Sequence, residues 1–218
     1  MEKKYYNIWM ENEGDNWFTR NKENIEPNFD IILFLMDIYK IHPKIAIEIG
    51  CANGYRLAKI HDKYDSEVIG IEPSDKAIND GRSMWPFITF LKDISCSFEL
   101  SKKVDLVIIN FVFHWISRDR LIKSVDKIND VLGNNGLLII GDFGTENFIK
   151  NKYHHLPDKK LFTYKQRYQD MFLATGLYKE IAKIGFNHDT GELSYNIDNS
   201  NMASVSLLKK MDIYFEQR

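Results

Sequence analysis

The stretch Lys44–Ile60, KIAIEIGCANGYRLAKI, decides how this chain is read. Ile45, Ala46, Ile47 and Ile49 are short and mostly β-branched, the signature of a strand buried on both faces of a parallel sheet. Gly50 to Gly54 turn the backbone, and Leu57, Ala58, Ile60 and His61 follow at helical spacing. Strand, glycine turn and helix together make a ligand-binding loop. The glycines accept positive φ and let the backbone come close to a ligand. The helix that follows offers free N–H groups and the positive end of its dipole.

The spacing discriminates between ligands. A dinucleotide loop needs G-x-G-x-x-G, and in that register the three positions are Gly50, Ala52 and Tyr55. Tyr55 is too large for the close helix–strand contact that the third glycine allows. What stands instead is acid-x-Gly-x-x-x-Gly: Glu48, Gly50 and Gly54. An acid that ends an apolar strand is costly to bury without a partner, and a cationic ligand supplies one. S-adenosylmethionine carries a sulfonium and an ammonium and no phosphate. The pattern resembles motif I of the class I S-adenosylmethionine-dependent methyltransferases, roughly D/E-x-G-x-G-x-G, with Ala52 where the middle glycine is usual.

With 218 residues the chain is long enough for one large α/β domain and short for two. A formal net charge of −2 makes no global electrostatic case for nucleic acid as a partner. The longest apolar run, Ile31–Met36, falls far short of a membrane span, and Met1–Met10 is too charged and tyrosine-rich for a secretory signal. Cys51 and Cys96 form no C-x-x-C arrangement, so no zinc module or disulfide framework is expected and no metal site is assigned. A cytoplasmic protein, monomer or homodimer, with free thiols fits these features.

Residues 29–41 read as a helix. Val68–Ile71, Phe87–Leu91, Val104–Ile109 and Leu137–Ile140 read as further parallel strands. Ser74 caps a helix that Gly81 closes, and Ser117 caps another with Leu121, Val125, Ile128 and Leu132 on one stripe and Gly133 at its end. Thr163-x-x-Gln166 reads as a capping box for a helix carrying Tyr168, Met171 and Phe172, stopped by Gly176. Tyr178–Phe186 and Met202–Lys210 alternate as two closing strands. The expected fold is α/β: a doubly wound, mostly parallel seven-stranded sheet closed by an antiparallel β-hairpin. Such a hairpin is what the class I methyltransferases add to a Rossmann-like core, so the resemblance spans residues 44 to 210 and lies with the small-molecule branch. The expected layout is a single domain. Residues 1–43 form an N-terminal cap and helix, 44–142 the cofactor-binding half, 143–176 an acceptor-pocket insertion and 177–218 the closing hairpin.

Ligands of doubly wound sheets bind at the C-terminal strand ends. Glu48 and Gly50 end the first strand, and Glu72, eighteen residues past Gly54, ends the second at the spacing of an acid that grips ribose hydroxyls. The resemblance implies that Asp93 and Ile94 hold the adenine and that Asn110 and Phe111 lie beside the sulfonium. Cys51 and Ala52 in the turn and Pro73 after Glu72 complete the expected cofactor set. Single strand-end acids are as often just solvated; their order along this chain is what carries weight.

The resemblance also implies an N-terminal segment folded over the cofactor, here Trp17 and Arg20, with the arginine meeting the cofactor's carboxylate. His114 and Trp115 follow the fourth strand, near the transferable methyl. His114 there is either a general base or a packing residue beneath the site. Asn110-Phe-Val-Phe113 is a weak echo of the Asn-Pro-Pro-Tyr motif of nucleic-acid amino methylases, with both prolines missing. Residues 150–167 carry Lys150, Lys152, Lys159, Lys160, Lys165 and Arg167 with His154, His155, Tyr153 and Tyr164, against the single acid Asp158. In this superfamily that connection builds the acceptor pocket. Tyr153, Lys159, Tyr164 and Arg167 with Trp115 then suit an anionic small-molecule acceptor, a phosphorylated or nucleotide-linked sugar methylated at oxygen, with His154 and His155 as further candidate bases. The competing readings are a solvated basic loop, base or tRNA methylation, and a non-catalytic cofactor-binding subunit.

Overall fold

Trp9–Glu13, a short π-helical turn, leads into α1 (Gly14–Asn21), and α2 (Ile31–Ile38) follows in the computed structural model, which describes residues 8–194 and 196–212. Asp30 caps α2, its Oδ1 accepting from the amides of Ile32 (2.9 Å) and Leu33 (3.1 Å). The chain then alternates: β1 (Ile45–Ile49), α3 (Tyr55–Tyr64), β2 (Glu67–Glu72), α4 (Asp75–Met84), β3 (Thr89–Lys92), β4 (Val104–Asn110), α5 (Arg118–Val131) and β5 (Leu132–Phe143). A small hairpin, β6 (Ile149–Lys152) with β7 (Phe162–Lys165), and the short α6 (Gln169–Leu173) precede the closing strands β8 (Tyr178–Asn187) and β9 (Met202–Lys210).

The main sheet has seven strands in the order β3-β2-β1-β4-β5-β9-β8. The strands from β3 to β5 pair in parallel, and β9 pairs antiparallel to both β5 and β8. This is the expected doubly wound sheet with its closing hairpin. The order reverses between β1 and β4, which opens a crevice at their C-terminal ends. β1 is apolar on both faces because each is covered. Ile47 and Ile49 join Phe98, Phe113, Tyr168 and Phe172 on one side, and Ala46 joins Ile32, Leu35 and Leu57 on the other. No helix among the described residues is long and apolar enough to cross a membrane.

Three local expectations change. Gly133 lies within β5 and not at the end of α5, because the chain passes directly from helix to strand at Leu132. Thr163-x-x-Gln166 is not a capping box: Thr163 pairs with Asn151 inside the small hairpin, and α6 begins only at Gln169. The β-branched and aromatic run Phe162-Thr-Tyr164 favours a strand over the local cap signal. Gly81 does not close α4, which continues to Met84. A Cβ at position 81 would lie 2.3 Å from the carbonyl oxygen of Asn53 and 2.5 Å from the Phe90 ring. The glycine lets α4 press on the loop before α3. Gly81→Ala is therefore expected to destabilise the protein by about 1–3 kcal/mol through overpacking, although alanine is the better helix former. Urea unfolding measures this; a midpoint equal to or above wild type would refute the close contact.

Candidate active site

A cavity of about 550 Å³ opens at the C-terminal ends of β1 to β4. Its floor is the loop after β1. Gly50 has φ +71°, and a Cβ there would meet Val112 Cγ2 at 2.3 Å, so only glycine fits. Ala52, at φ +51°, adopts the left-handed conformation that the usual glycine takes without strain. Its amide donates to Glu72 Oε2 (2.9 Å), while Glu72 Oε1 accepts from the Ser74 amide (3.0 Å). Glu72 thus ties the turn after β1 to the start of α4. Burial lifts its carboxyl to about 7 even though these two amides favour the anion.

A second buried network lies beside it. Arg56, on the first turn of α3, donates Nη1 to Glu48 Oε1, Nε to Asp30 Oδ2 (2.9 Å) and Nη2 to the Tyr55 hydroxyl (2.6 Å). Tyr55 in turn donates to Asp30 Oδ2 (2.8 Å). Burial pushes the Glu48 carboxyl above the usual carboxylate range, against the pull of Arg56. Burial would also raise Asp30, but Arg56, the Tyr55 hydroxyl and the Leu33 amide hold it below its usual value. Arg56 stays charged because two carboxylates face it.

Two buried acceptors in this region have no partner among the described residues: Glu48 Oε2 and Asn110 Oδ1. Both oxygens call for an N–H donor or a cation. Asp93 and Glu72 also line the cavity, so its interior is rich in carboxylates. Such a site fits a ligand with an ammonium, a sulfonium and ribose hydroxyls, and it repels the pyrophosphate of a dinucleotide.

The cavity gathers most of the residues expected at it. Trp17, Glu48, Gly50, Cys51, Ala52, Glu72, Pro73, Asp93, Ile94, Asn110 and Phe111 line it, as does Trp115. Gly54 stands behind the lining, at φ +83°, where a Cβ would crowd Ile88 and Phe90 at 3.0 Å. Arg20 is engaged elsewhere: it donates to Glu13 (2.5 Å) and to the Tyr153 hydroxyl (2.9 Å), and Tyr153 also donates to Glu13. It fastens α1 to the small hairpin. The arginines that line the cavity are Arg56 and Arg120.

The candidate bases and the basic connection are placed differently from expectation. His114 is buried, its ring Nδ1 3.0 Å from Asp142 Oδ1 and its amide donating to Asp142 Oδ2 (3.1 Å), which locks the turn after β4 onto β5. His154 and His155 are exposed, with rings 3.9 Å apart. None of the three histidines lines the cavity, and neither does any residue of 143–176. Tyr153 is buried against Trp115 and Trp9. Tyr164 lies under the Arg118 guanidinium, 4.2 Å from its ring centroid. Lys159 is exposed, and Arg167 pairs with Asp170 at 2.6 Å. The small hairpin buries Tyr153 and Leu161 and leaves Lys150, Lys152, Lys159 and Lys160 exposed, while Lys165 is half-buried with Nζ 4.0 Å from the Phe143 ring centroid.

In place of that connection, the closing hairpin supplies a wall: Phe186, His188 and Gly191 line the cavity. Phe111 lies 6.2 Å from Phe186 and 4.9 Å from His188, and Trp9 lies 5.1 Å from Trp115. The strand pattern ending at Phe186 was the only sequence signal for this wall. Nothing local marks the following turn as part of a site.

Residues 47–138 match the family model for the methyltransferase domain. The chain is 25% identical over 183 residues to an uncharacterized methyltransferase of Alkaliphilus oremlandii (strain OhILAs), covering 78% of this chain and 83% of that protein. Its fold is similar to that of the Burkholderia thailandensis 1,6-didemethyltoxoflavin-N1-methyltransferase (TM-score 0.75, 11% identity, 97% of this chain and 91% of that one). It is also similar to the N-methyltransferase NodS of Bradyrhizobium japonicum WM9 (TM-score 0.63, 14% identity, 94% and 98%). Both of those structures contain S-adenosylhomocysteine. Residues 47–138 thus carry a methyltransferase domain, and the sheet order and strand-end residues described above make the chain similar to the class I S-adenosylmethionine-dependent methyltransferases.

Proposed function

We propose that the protein binds S-adenosylmethionine across the ends of β1 to β4 and methylates an O–H or N–H group of a small, flat and largely apolar molecule. The observation that carries this reading is the pair of partnerless buried acceptors, Glu48 Oε2 and Asn110 Oδ1, beside a turn held at positive φ. Glu48 and Asn110 would take the ligand's ammonium, Glu72 the ribose hydroxyls, and Asp93 with Ile94 the adenine. When bound, S-adenosylmethionine supplies an electrophilic methyl carbon. The protein's own contribution is to orient the acceptor and exclude water, and fixed geometry alone supplies much of the rate of a displacement. Trp9, Phe111, Trp115 and Phe186 form an aromatic surface suited to a planar acceptor.

The phosphorylated-sugar acceptor expected from residues 150–167 has less support. Its lysines lie outside the cavity lining, and the carboxylates of Glu48, Glu72 and Asp93 inside would oppose a phosphate. Methylation at nitrogen, as in the structurally similar proteins named above, stands beside methylation at oxygen.

Calorimetry with S-adenosylhomocysteine and with NAD at equal concentration tests the reading. S-adenosylhomocysteine is expected to bind and NAD to give no heat; the reverse preference would overturn the cofactor assignment.

A further inference from the structure

We infer that His188 is the proton acceptor of methyl transfer, its imidazole taking the proton of the acceptor's O–H or N–H group. The inference rests on the reading above and extends it to a residue on the closing hairpin. Among the described residues, His188 is the histidine that lines the cavity; His114, His154 and His155 do not. Although the residue as a whole is exposed, its ring packs 4.9 Å from Phe111, the residue that follows the partnerless Asn110, and 4.6 Å from Phe143.

The backbone that carries His188 is well fixed for a turn. Its amide donates to the Asn201 carbonyl (2.8 Å), and the turn beyond closes through Asn187 N to the Glu192 carbonyl (2.9 Å) and Gly191 N to the Asn187 carbonyl (2.8 Å). The Asn187 side chain accepts from the amides of Asp189 and Thr190. Gly191 supplies the positive φ of +73° that the turn needs. These bonds fix the Cα of His188 at the mouth of the cavity, and its ring contacts with Phe111 and Phe143 set where the imidazole lies.

The charged groups around the ring come from four elements. Asp189 lies on the same turn, His114 on the turn after β4, Asp142 on β5 and Lys165 on β7. Burial lowers the imidazole's pKa; Asp189 and Asp142 oppose this, while His114 and Lys165 add to it. The net effect keeps His188 neutral and able to accept a proton near pH 7. In the step itself, the lone pair of the acceptor's oxygen or nitrogen forms the new bond to the methyl carbon. The carbon–sulfur bond breaks with its electrons on sulfur, which passes from sulfonium to neutral thioether. The displaced proton goes to the free ring nitrogen of His188 and from there to solvent.

The test uses the full chain, S-adenosylmethionine, and para-nitrophenol, indole and benzimidazole as acceptor probes. At least one probe is expected to be methylated. His188→Gln is expected to lower kcat about 100-fold at pH 7 with the KM for S-adenosylmethionine unchanged. The deficit should shrink as pH approaches the probe's own ionisation, and added imidazole should restore part of the rate in His188→Gly. A readout independent of turnover is the ring resonance of His188 in ¹³C-histidine-labelled protein, assigned by its loss in His188→Gln. It is expected to titrate below the ordinary histidine range and to move when S-adenosylhomocysteine is added. Any of four results overturns the inference. They are full turnover in His188→Gln, a deficit independent of both pH and imidazole, no turnover of any probe, and a resonance indifferent to S-adenosylhomocysteine that calorimetry shows to be bound. If calorimetry shows no binding, the cofactor reading falls first and takes this inference with it.

Discussion

Arg56→Met is expected to destabilise the protein by about 3–5 kcal/mol at pH 7.5, the range for a buried ion pair that loses one partner. Arg56 is buried, and it is the counter-charge to both Glu48 and Asp30, which are also buried. Methionine of similar length fills the space and leaves two carboxylates facing each other in a low dielectric. Glu48 would then be pushed further above its usual range than it already is. The sign of the pH dependence follows from linkage. A carboxyl with a raised folded-state pKa binds more protons in the folded state than in the unfolded one, so stability falls as pH rises through that window. The variant should therefore regain part of its lost stability between pH 8 and pH 5.5, as Glu48 takes up a proton. Arg56→Lys should recover little, because one ammonium cannot reach Glu48, Asp30 and Tyr55 with separate N–H groups as the guanidinium does. Urea unfolding at the two pH values checks both statements. A loss under ~1 kcal/mol for Arg56→Met would mean that solvent reaches the pair and that its burial is overstated.

The sheet and its cofactor side were legible because their signals are local. Five apolar strands, a glycine turn and a polar residue at each strand end (Glu48, Glu72, Asp93, Asn110 and Asp142) follow one another within 44–142, and each element carries its own pattern. The closing hairpin was legible for the same reason, from the alternation in Tyr178–Phe186 and Met202–Lys210. What local pattern does not encode is which distant segment covers the crevice. Residues 150–167 stand out by charge, yet charge density marks a solvated surface as readily as a pocket, and the β6–β7 hairpin buries its Tyr153 and Leu161 and leaves every lysine but Lys165 exposed. His188 carries no motif; it reaches the site only because β8 pairs with β9 at the edge next to β5. Only the family resemblance assigns Arg20 to a ligand, because in related methyltransferases an N-terminal arginine beside an aromatic meets the cofactor's carboxylate. Its partner proved to be the protein's own Glu13, seven residues earlier on the same segment. Arg56 carries no local signal beyond that of a polar residue in a helix, although its place eight positions after Glu48 brings it back over the strand end.

Glu72→Ala is expected to weaken binding of S-adenosylhomocysteine by at least about 100-fold, or roughly 2.7 kcal/mol. The sequence alone suggests a strand-end acid facing an open cleft, whose loss removes only ligand contacts. The structure adds a second cost. Glu72 is buried and accepts the amides of Ala52 and Ser74, so alanine leaves two buried N–H groups without partners at about 1–2 kcal/mol each. The turn after β1 is released together with the ligand's ribose contact, and stability is expected to fall by about 2–4 kcal/mol as well. Glu72→Gln should not rescue it, because its NH₂ group would face one of the two amide donors. The pH dependence separates the two effects. With its carboxyl raised from 4.5 to about 7, Glu72 is largely protonated below neutrality. Ribose hydroxyls donate to the anion, so wild-type affinity should rise with pH and level off above about 7. The stability of the free protein should run the opposite way through the same window, since the folded state binds the extra proton. Both slopes should diminish in Glu72→Ala, with Glu48 supplying what remains. An unchanged affinity in the variant, or a wild-type affinity flat between pH 5.5 and 8, would show that Glu72 braces the loop and takes no part in holding the ligand.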